Sequence, residues 1–191
     1  MNFMNDAIKS ILLSEEEINS ITSSLAEKIT EDYKNSEKDL ILLCILKGSI
    51  VFMGDLMKKI QLPLEVETMK VSSYGSSHLS SGSINIQLDL YRTDLSSVNI
   101  LIVEDIVDSG NTLTQLTKHL LEKGAASVRT CTLLDKPSRR EVEFIPDYCG
   151  KVIPDKFVVG YGLDYNEKFR NLPYIGILKP EVYGDISADN A

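Results

Sequence analysis

The stretch of sequence that decides the fold is VNILIVEDIVDSGNTL, residues 98–113. It opens with a short apolar run, Val98–Val103, which is typical of a buried β-strand. Two adjacent carboxylates follow that run, and a small polar turn at 108–111 leads into a helix predicted over Thr112–Lys123. In open α/β sheets, ligands bind where the strands end and the next helices begin. The stretch therefore predicts an α/β fold with a ligand site at the carboxyl end of this strand.

Strands and helices alternate along the rest of the chain. Apolar runs predict further strands at Leu40–Leu46, Leu64–Tyr74, Ile84–Leu90, Val128–Leu134 and Phe157–Val159. A capping box at Ser14 begins one predicted helix, and a second is predicted over Ser49–Lys59. This alternation predicts a mainly parallel sheet with right-handed crossovers. We expect a single domain over residues 1–191, with a frayed polar tail at 184–191.

The composition changes sharply at residues 72–83, SSYGSSHLSSGS, which are almost all small and polar. Such a segment predicts a mobile loop between two strands, and loops of this length often carry function.

The overall charge and the cysteines limit the possible partners and compartments. A formal net charge of −8 argues against a general binder of nucleic acid, because few cations are available to displace counterions. The sequence contains no apolar stretch of about 20 residues, so a membrane span is not expected. The three cysteines form no CxxC pair, which favours a reducing, cytoplasmic location.

The residues after the Val98–Val103 run suit a ligand with both a sugar and a phosphate. Backbone N–H groups at the start of a helix, with the hydroxyls of Ser109 and Thr112 nearby, can hold a phosphate monoester. The carboxylates of Glu104 and Asp105 can accept hydrogen bonds from sugar hydroxyls. The same residues are also compatible with an ordinary helix cap beside two solvated acids.

Residues 103–113 resemble the phosphoribosyl-pyrophosphate (PRPP) signature of the type I phosphoribosyltransferases. Further motifs follow in the order found in the hypoxanthine-guanine members: LKG at 46–48, SYG at 73–75, LDKPSRR at 134–140, FVVGYGLDY at 157–165 and NEKFRNLP at 166–173. The resemblance covers roughly residues 10–183. It implies the type I fold, in which helices flank a mainly parallel sheet with a small hood and a flexible loop. It also implies transfer of the 5-phosphoribosyl group from PRPP to hypoxanthine or guanine, giving IMP or GMP and pyrophosphate.

The resemblance implies roles for residues around the ribose and the phosphates. Glu104 and Asp105 would hold the ribose hydroxyls and, with Asp164, approach Mg²⁺ mostly through water or substrate. The 5′-phosphate would lie in the loop of Ser109, Gly110, Asn111 and Thr112, although many relatives carry Lys where this chain has Asn111. The pyrophosphate would meet Lys47, Gly48 and Arg170, with a non-proline cis peptide before Lys47. Ser73 and Tyr74 belong to the mobile loop, which is expected to close as a lid over the site.

The resemblance also implies how the purine is bound. Asp108 would stand beside the imidazole nitrogen and assist removal of its proton, as the catalytic residue. Lys136 would donate to the keto oxygen, Phe157 would stack on the base, and the backbone of Val158 would meet its edge. The implied assembly is a homodimer or homotetramer. Two other functions stay open: a PRPP-fold regulator that binds nucleotides, and a phosphoribosyltransferase that prefers xanthine or a pyrimidine.

Overall fold

The computed structural model describes residues 6–73 and 84–184. The strands in this part of the chain are β1 (Ile8–Leu13), β2 (Asp39–Ile45), β3 (Glu65–Ser73), β4 (Ile84–Leu88), β5 (Val98–Val107), β6 (Ser127–Asp135), β7 (Tyr148–Val152), β8 (Val158–Val159) and β9 (Ile175–Leu178). The helices are α1 (Glu15–Tyr33), α2 (Ile50–Met57), α3 (Asn111–Glu122) and α4 (Pro180–Tyr183), with a 3₁₀ turn at Pro137–Arg139.

The main sheet confirms the predicted α/β architecture. Among the described residues it has six strands in the order β4-β3-β2-β5-β6-β7. Strands β3, β2, β5, β6 and β7 run parallel, and β4 adds an antiparallel edge to β3. Strand β5 lies near the middle of this sheet, as expected for a strand whose first six residues are all buried.

The central strands are buried on both faces, which explains their continuous apolar runs. In β2, Leu42 and Cys44 belong to the core under α1 and α2, whereas Ile41 and Leu43 belong to the core under α3. The capping box at Ser14 is present at the start of α1, since Glu17 N–H donates to Ser14 Oγ (3.2 Å) and Ser14 N–H donates to Glu17 Oε2 (2.8 Å).

Strand β5 is longer than the sequence predicted, and this difference affects the site. The apolar run was expected to end at Val103, but the strand continues to Val107. Its last residues stay in the ladder because Ile106 pairs with Leu134 and Val107 pairs with Asp135 of β6. The two carboxylates of Glu104 and Asp105 therefore lie within the strand instead of at its carboxyl end.

A second sheet of three antiparallel strands, β1-β9-β8 in the described residues, forms the small hood. The sequence analysis did not predict β1, β7 or β9. The pairing of β1 with β9 joins residues about 160 positions apart, for example Leu13 with Ile175, so local periodicity carries little information about it.

Several predictions fall on residues outside the described ranges. These are Tyr74, the rest of the predicted lid to Ser83, and the tail from residue 185 onward. Ser73 is the last residue of β3. In residues 6–73 and 84–184, no helix combines the length and apolar character needed to cross a bilayer.

Candidate active site

The candidate site is a cleft at the carboxyl ends of β2 and β5. It has a volume of about 360 Å³ and is lined by Ile45, Leu46, Lys47, Gly48, Val71, Glu104, Asp105, Thr112, Asp164 and Arg170. A smaller cleft of about 110 Å³ adjoins it, shares Glu104 and Thr112, and extends over residues 106–110. The two clefts bring together the predicted ribose, pyrophosphate and 5′-phosphate residues, except Asn111, which lines neither of them.

A larger cavity of about 430 Å³ lies elsewhere, between the start of α1 and α2. Its two lysines and Asp55 already have partners, since Lys58 contacts Asp55 at 2.7 Å, Tyr161 Oη donates to Asp55 at 2.6 Å and Lys59 Nζ donates to Asn19 Oδ1 at 2.6 Å. We therefore place the chemistry in the two clefts at the sheet edge.

The floor of the cleft holds Glu104 and Asp105, which we call the acid pair. Both residues line the cleft and keep part of their surface accessible, but Glu104 Oε2 is covered and has no hydrogen-bond partner among the described residues. Burial, reinforced by the neighbouring charge of Asp105, raises the pKa of Glu104 well above its usual range. Burial likewise raises the pKa of Asp105 to about 6, although the backbone N–H of Ile106 donates to its Oδ1 at 2.7 Å. The alternative of two freely solvated acids is therefore wrong.

Two glycines allow the turn after β2 to lie directly against the acid pair. A Cβ atom on Gly48 would come within 1.7 Å of Asp105 Oδ2, so only glycine fits this position. Gly162, whose φ is +102°, lies against the same turn, and a Cβ there would be 2.0 Å from Gly48 O. The peptide bond between Leu46 and Lys47 is cis, as the resemblance implied.

Charged side chains at the edge of the cleft pair with one another. We call Lys47, Asp164, Glu167 and Arg170 the rim cluster. Lys47 Nζ lies 3.0 Å from Glu167 Oε2, and Arg170 Nη2 lies 2.8 Å from Asp164 Oδ1 and 3.2 Å from Glu167 Oε2. Arg170 Nη1 also donates to Gly162 O at 2.8 Å. The hydrogen bonds from Lys47 and Arg170 lower the pKa of Glu167.

The turn after β5 is shaped to expose backbone donors. Helix α3 begins at Asn111, and its N-cap is Gly110, which offers no side chain to cap the helix. Ser109 Oγ accepts from the N–H of Asn111 at 3.3 Å, as a capping side chain would, whereas Asp108 pairs with Arg139. The side-chain amide of Asn111 donates to Glu141 Oε2 at 2.5 Å. The N–H groups of Thr112 and Leu113, in the first turn of this twelve-residue helix, have no partner in the described structure and can bind an anion, which helix N-termini favour.

Asp108 and Lys136 lie near each other at the end of the β5–β6 pair. The backbone N–H of Lys136 donates to Val107 O at 2.9 Å. The side chain of Lys136 is only 10% exposed, and its Nζ lies 3.9 Å from Asp155 Oδ1. Burial lowers the pKa of Lys136, while the charges of Asp108 and Asp155 oppose that shift. Asp108 itself pairs with Arg139, whose Nε is 2.9 Å from its Oδ1.

Phe157 stands immediately before β8, between two other aromatic rings. It stacks on Tyr183 with a centroid distance of 5.0 Å and an interplanar angle of 19°. Tyr165 meets it edge-on at 5.6 Å and 87°. Val158 is buried. In the part of the chain that the structure describes, Lys136, Phe157 and Val158 do not line either of the two clefts.

Sequence reasoning gave no role to Arg139 or Glu167, although both lie inside motifs it singled out. The structure pairs Arg139 with Asp108 and pairs Glu167 with Lys47 and Arg170. The spacing of three residues between Glu167 and Arg170 was a usable signal, because side chains so spaced can meet in a tight turn. No local pattern could have indicated the contact with Lys47, which is 120 positions away.

Within the described residues, no group of three or more His, Cys, Asp or Glu side chains is arranged to enclose a metal ion. The donors present are the carboxylates of the acid pair and Asp164, of which Glu104 Oε2 has no partner in the described structure. Such oxygens suit Mg²⁺, which keeps several waters and shares its coordination with substrate phosphates. The arrangement fits a metal that arrives with a phosphate-bearing ligand.

Comparisons with known proteins agree with this geometry. A family model described as a phosphoribosyl transferase domain matches residues 6–166. A hypoxanthine-guanine phosphoribosyltransferase of Staphylococcus epidermidis is 47% identical over 180 residues, which cover 94% of this chain and 99% of that protein.

Solved structures that are similar to this chain are also hypoxanthine phosphoribosyltransferases. The crystal structure of a hypoxanthine phosphoribosyltransferase from Staphylococcus aureus has a TM-score of 0.90 and 46% identity, and covers 97% of this chain and 100% of that one. A Trypanosoma cruzi hypoxanthine phosphoribosyltransferase variant in a ternary substrates complex has a TM-score of 0.89 and 38% identity, and covers 94% of this chain and 100% of that one.

Proposed function

The chain belongs to the phosphoribosyl transferase domain family, and we propose that it transfers the 5-phosphoribosyl group of PRPP to hypoxanthine or guanine. The products are IMP or GMP and pyrophosphate, so the enzyme serves purine salvage. The names of the relatives favour this activity over that of a nucleotide-binding regulator or of an enzyme for xanthine or pyrimidines.

The observation that carries the proposal is the juxtaposition of three features in the adjoining clefts. The acid pair can accept the ribose hydroxyls, the start of α3 can bind the 5′-phosphate, and Lys47 with Arg170 can meet the pyrophosphate. PRPP has these three groups on one ribose ring. A ligand lacking any of them would leave part of the site without a partner.

Asp108 is the residue we propose as the general base. The purine nitrogen that attacks the anomeric carbon must lose a proton, and a carboxylate next to it can accept that proton. Arg139 holds this carboxylate through a contact of 2.9 Å. The contact orients the Asp108 carboxylate, which a proton acceptor requires.

The leaving pyrophosphate gains negative charge as the bond to the ribose breaks. Lys47 and Arg170, which lie on either side of Glu167, are placed to stabilise that charge. When bound with PRPP, Mg²⁺ would supply further neutralisation of the phosphate oxygens. The acid pair and Asp164 would hold it, mostly through water or the substrate.

Recognition of the base is proposed to depend on Lys136 and Phe157. A protonated lysine has donors and no acceptor, so it suits the keto oxygen of hypoxanthine and guanine and leaves adenine's amino group without a partner. A site built around such a contact can reject the wrong analogue by up to about 10⁴-fold. Hypoxanthine and guanine differ by one exocyclic amine, whose neutral hydrogen bond contributes only about 0.5–1.5 kcal/mol.

The test is a comparison of kcat/KM for hypoxanthine, guanine, xanthine and adenine with PRPP and Mg²⁺. We expect hypoxanthine and guanine to react at comparable rates and adenine to be rejected. Turnover of adenine within tenfold of hypoxanthine would contradict the role of Lys136. Formation of no nucleotide from any base would contradict the proposed function as a whole.

We also propose a cytoplasmic location and a homodimer or homotetramer. The described structure contains only free cysteines, Cys44, Cys131 and Cys149, which suits a reducing compartment. The apolar side chains of Ile50 and Met57 are exposed on α2, next to the Lys47 turn, and a second subunit could cover them. Light scattering of the purified protein tests the assembly, and a monomer at micromolar concentration would contradict it.

A further inference from the structure

Glu167 is the one member of the rim cluster that contacts both cations proposed to bind pyrophosphate. Its Oε2 lies 3.0 Å from Lys47 Nζ and 3.2 Å from Arg170 Nη2. The side chains of Lys47 and Glu167 are 53% and 65% exposed, so a ligand can reach them. A single carboxylate oxygen thus pairs with both cations that a pyrophosphate oxygen would contact.

The backbone holds Glu167 in this position. Its N–H donates to Asp164 Oδ2 at 2.9 Å, and its φ is +62°, in the left-handed region that non-glycine residues rarely adopt. Asn166 and Phe169, on either side, also have positive φ values of 50° and 73°. Such conformations persist where the surrounding structure fixes them, often at ligand sites. The local fold therefore fixes the backbone of Glu167 beside Lys47 and Arg170, within reach of its carboxylate.

A carboxylate at this position opposes pyrophosphate in two ways. Lys47 and Arg170 must exchange Glu167 for phosphate oxygens when pyrophosphate binds, so the gain from the new contacts is reduced by the loss of the old ones. The displaced carboxylate then remains close to a ligand that carries the same sign of charge. Both effects weaken binding of the product and favour its release.

We propose that Glu167 is a competing anion that lowers the affinity of the site for pyrophosphate and thereby assists product release. This inference rests on the proposed function, because it takes Lys47 and Arg170 as the pyrophosphate ligands. Glu167 acts through these two residues and is not itself required for the bond-breaking step.

The test is the affinity of the whole protein for inorganic pyrophosphate with MgCl₂, measured by titration calorimetry for the wild type and Glu167→Gln. Glutamine keeps the size of the side chain and removes its charge. The variant removes two exposed ion pairs, each of which contributes modestly, so we expect pyrophosphate to bind about three- to tenfold more tightly. IMP lacks a pyrophosphate group, and its dissociation constant should change less than twofold.

Glu31→Gln is the matched control, because Glu31 pairs with Lys34 at 2.5 Å on α1 with similar exposure and lies outside the clefts. It should leave pyrophosphate binding unchanged. Unchanged or weaker pyrophosphate binding by Glu167→Gln would overturn the inference and would indicate that Glu167 only orients its two partners. A wild type that binds pyrophosphate but forms no nucleotide would instead contradict the proposed function.

Discussion

The acid pair and the rim cluster line the same cleft, but they differ in burial and in how their charges are paired. Glu104 and Asp105 are partly buried, have raised pKa values, and leave Glu104 Oε2 without a partner in the described structure. Lys47 and Glu167 are exposed and paired with each other. The raised pKa values mean that ionisation of the acid pair opposes folding until a ligand supplies donors. The charged groups of the rim cluster already pair with one another and must exchange partners for a ligand, although Arg170 Nε has no partner in the described structure.

This difference matches what each part of PRPP requires during the reaction. The ribose stays bound from substrate to product, so a prepared set of acceptors that gains partners on binding suits it. The pyrophosphate must leave, so it is suited by Lys47 and Arg170, which can pair again with Glu167 after the pyrophosphate has dissociated.

The largest effect is expected on the kcat of Asp108→Asn. Asp108 is exposed and ion-paired, as Glu167 of the rim cluster is, but we propose that it acts in proton transfer. Loss of a general base typically lowers kcat by 10²–10⁴-fold. The KM for PRPP should change only a few-fold, because Asp108 is not assigned to the ribose. Steady-state kinetics with hypoxanthine would measure both constants.

Asp89→Asn is the control for this variant. Asp89 is also a partly exposed carboxylate in an ion pair, 2.5 Å from Lys123, and it lines neither cleft. We expect its kcat to match that of the wild type. Near-normal turnover by Asp108→Asn would refute the assignment of the base.

The next effect concerns the acid pair. Asp105→Asn should raise the KM for PRPP by about 10- to 100-fold, because a hydrogen bond to a charged group contributes about 1.5–3 kcal/mol. The same change should stabilise the fold. A rise of the Asp105 pKa from 3.8 to about 6 corresponds to a folding penalty on the order of 3 kcal/mol at neutral pH. Urea denaturation at pH 7 would measure the gain, and a less stable variant would contradict the comparison.

A pH dependence of smaller size follows from the same carboxyl group. Since its pKa is raised in the folded state, the stability it contributes is present below its ordinary value of 3.8 and is lost as the pH rises through about 6. PRPP binding should change in the opposite direction and weaken as the pH falls, by up to tenfold per pH unit below 6. The reason is that Asp105 must be ionised to accept hydrogen bonds from the ribose hydroxyls. The free energy of unfolding and the PRPP dissociation constant should be measured from pH 5 to 8 for the wild type and for Asp105→Asn. The difference between the two proteins isolates the contribution of this carboxyl group. A difference that does not change with pH would show that Asp105 is not the titrating group.

The sequence was enough to predict the β2–β5–β6 framework and most residues that line the clefts. Strand runs such as Leu40–Leu46 are continuous and apolar because both faces are covered, and this signal is local. The hood was predicted only through the resemblance, because β1 pairs with β9 at long range. The single domain over residues 1–191 and the lid over Ser73–Ser83 stay predictions.

The charge state of the site could not be predicted from the sequence. In the sequence, the neighbouring acids Glu104 and Asp105 are as compatible with two solvated side chains as with a ribose site. The extension of β5 to Val107 is what places them in the sheet. The pairs of Asp108 with Arg139 and of Lys47 with Glu167 depend on loops brought together by the fold. The order of the motifs predicts which residues lie at the site. Which of them form ion pairs with each other can be seen only in the tertiary structure.

The smallest effect is expected for the stability of Lys47→Met, and it completes the comparison. Lys47 is half-exposed and pairs with an exposed carboxylate, and such pairs contribute about 0–1 kcal/mol. We therefore expect the free energy of unfolding to change by less than about 1 kcal/mol, even though pyrophosphate binding should weaken by tenfold or more because a charged contact is lost. Lys34→Met, which breaks the comparable Lys34–Glu31 pair on α1, should have the same small effect on stability and none on binding. Urea denaturation and pyrophosphate titration of both variants measure these quantities. If Lys47→Met lost more than about 2 kcal/mol, the rim cluster would stabilise the fold itself, and its contrast with the acid pair would fail.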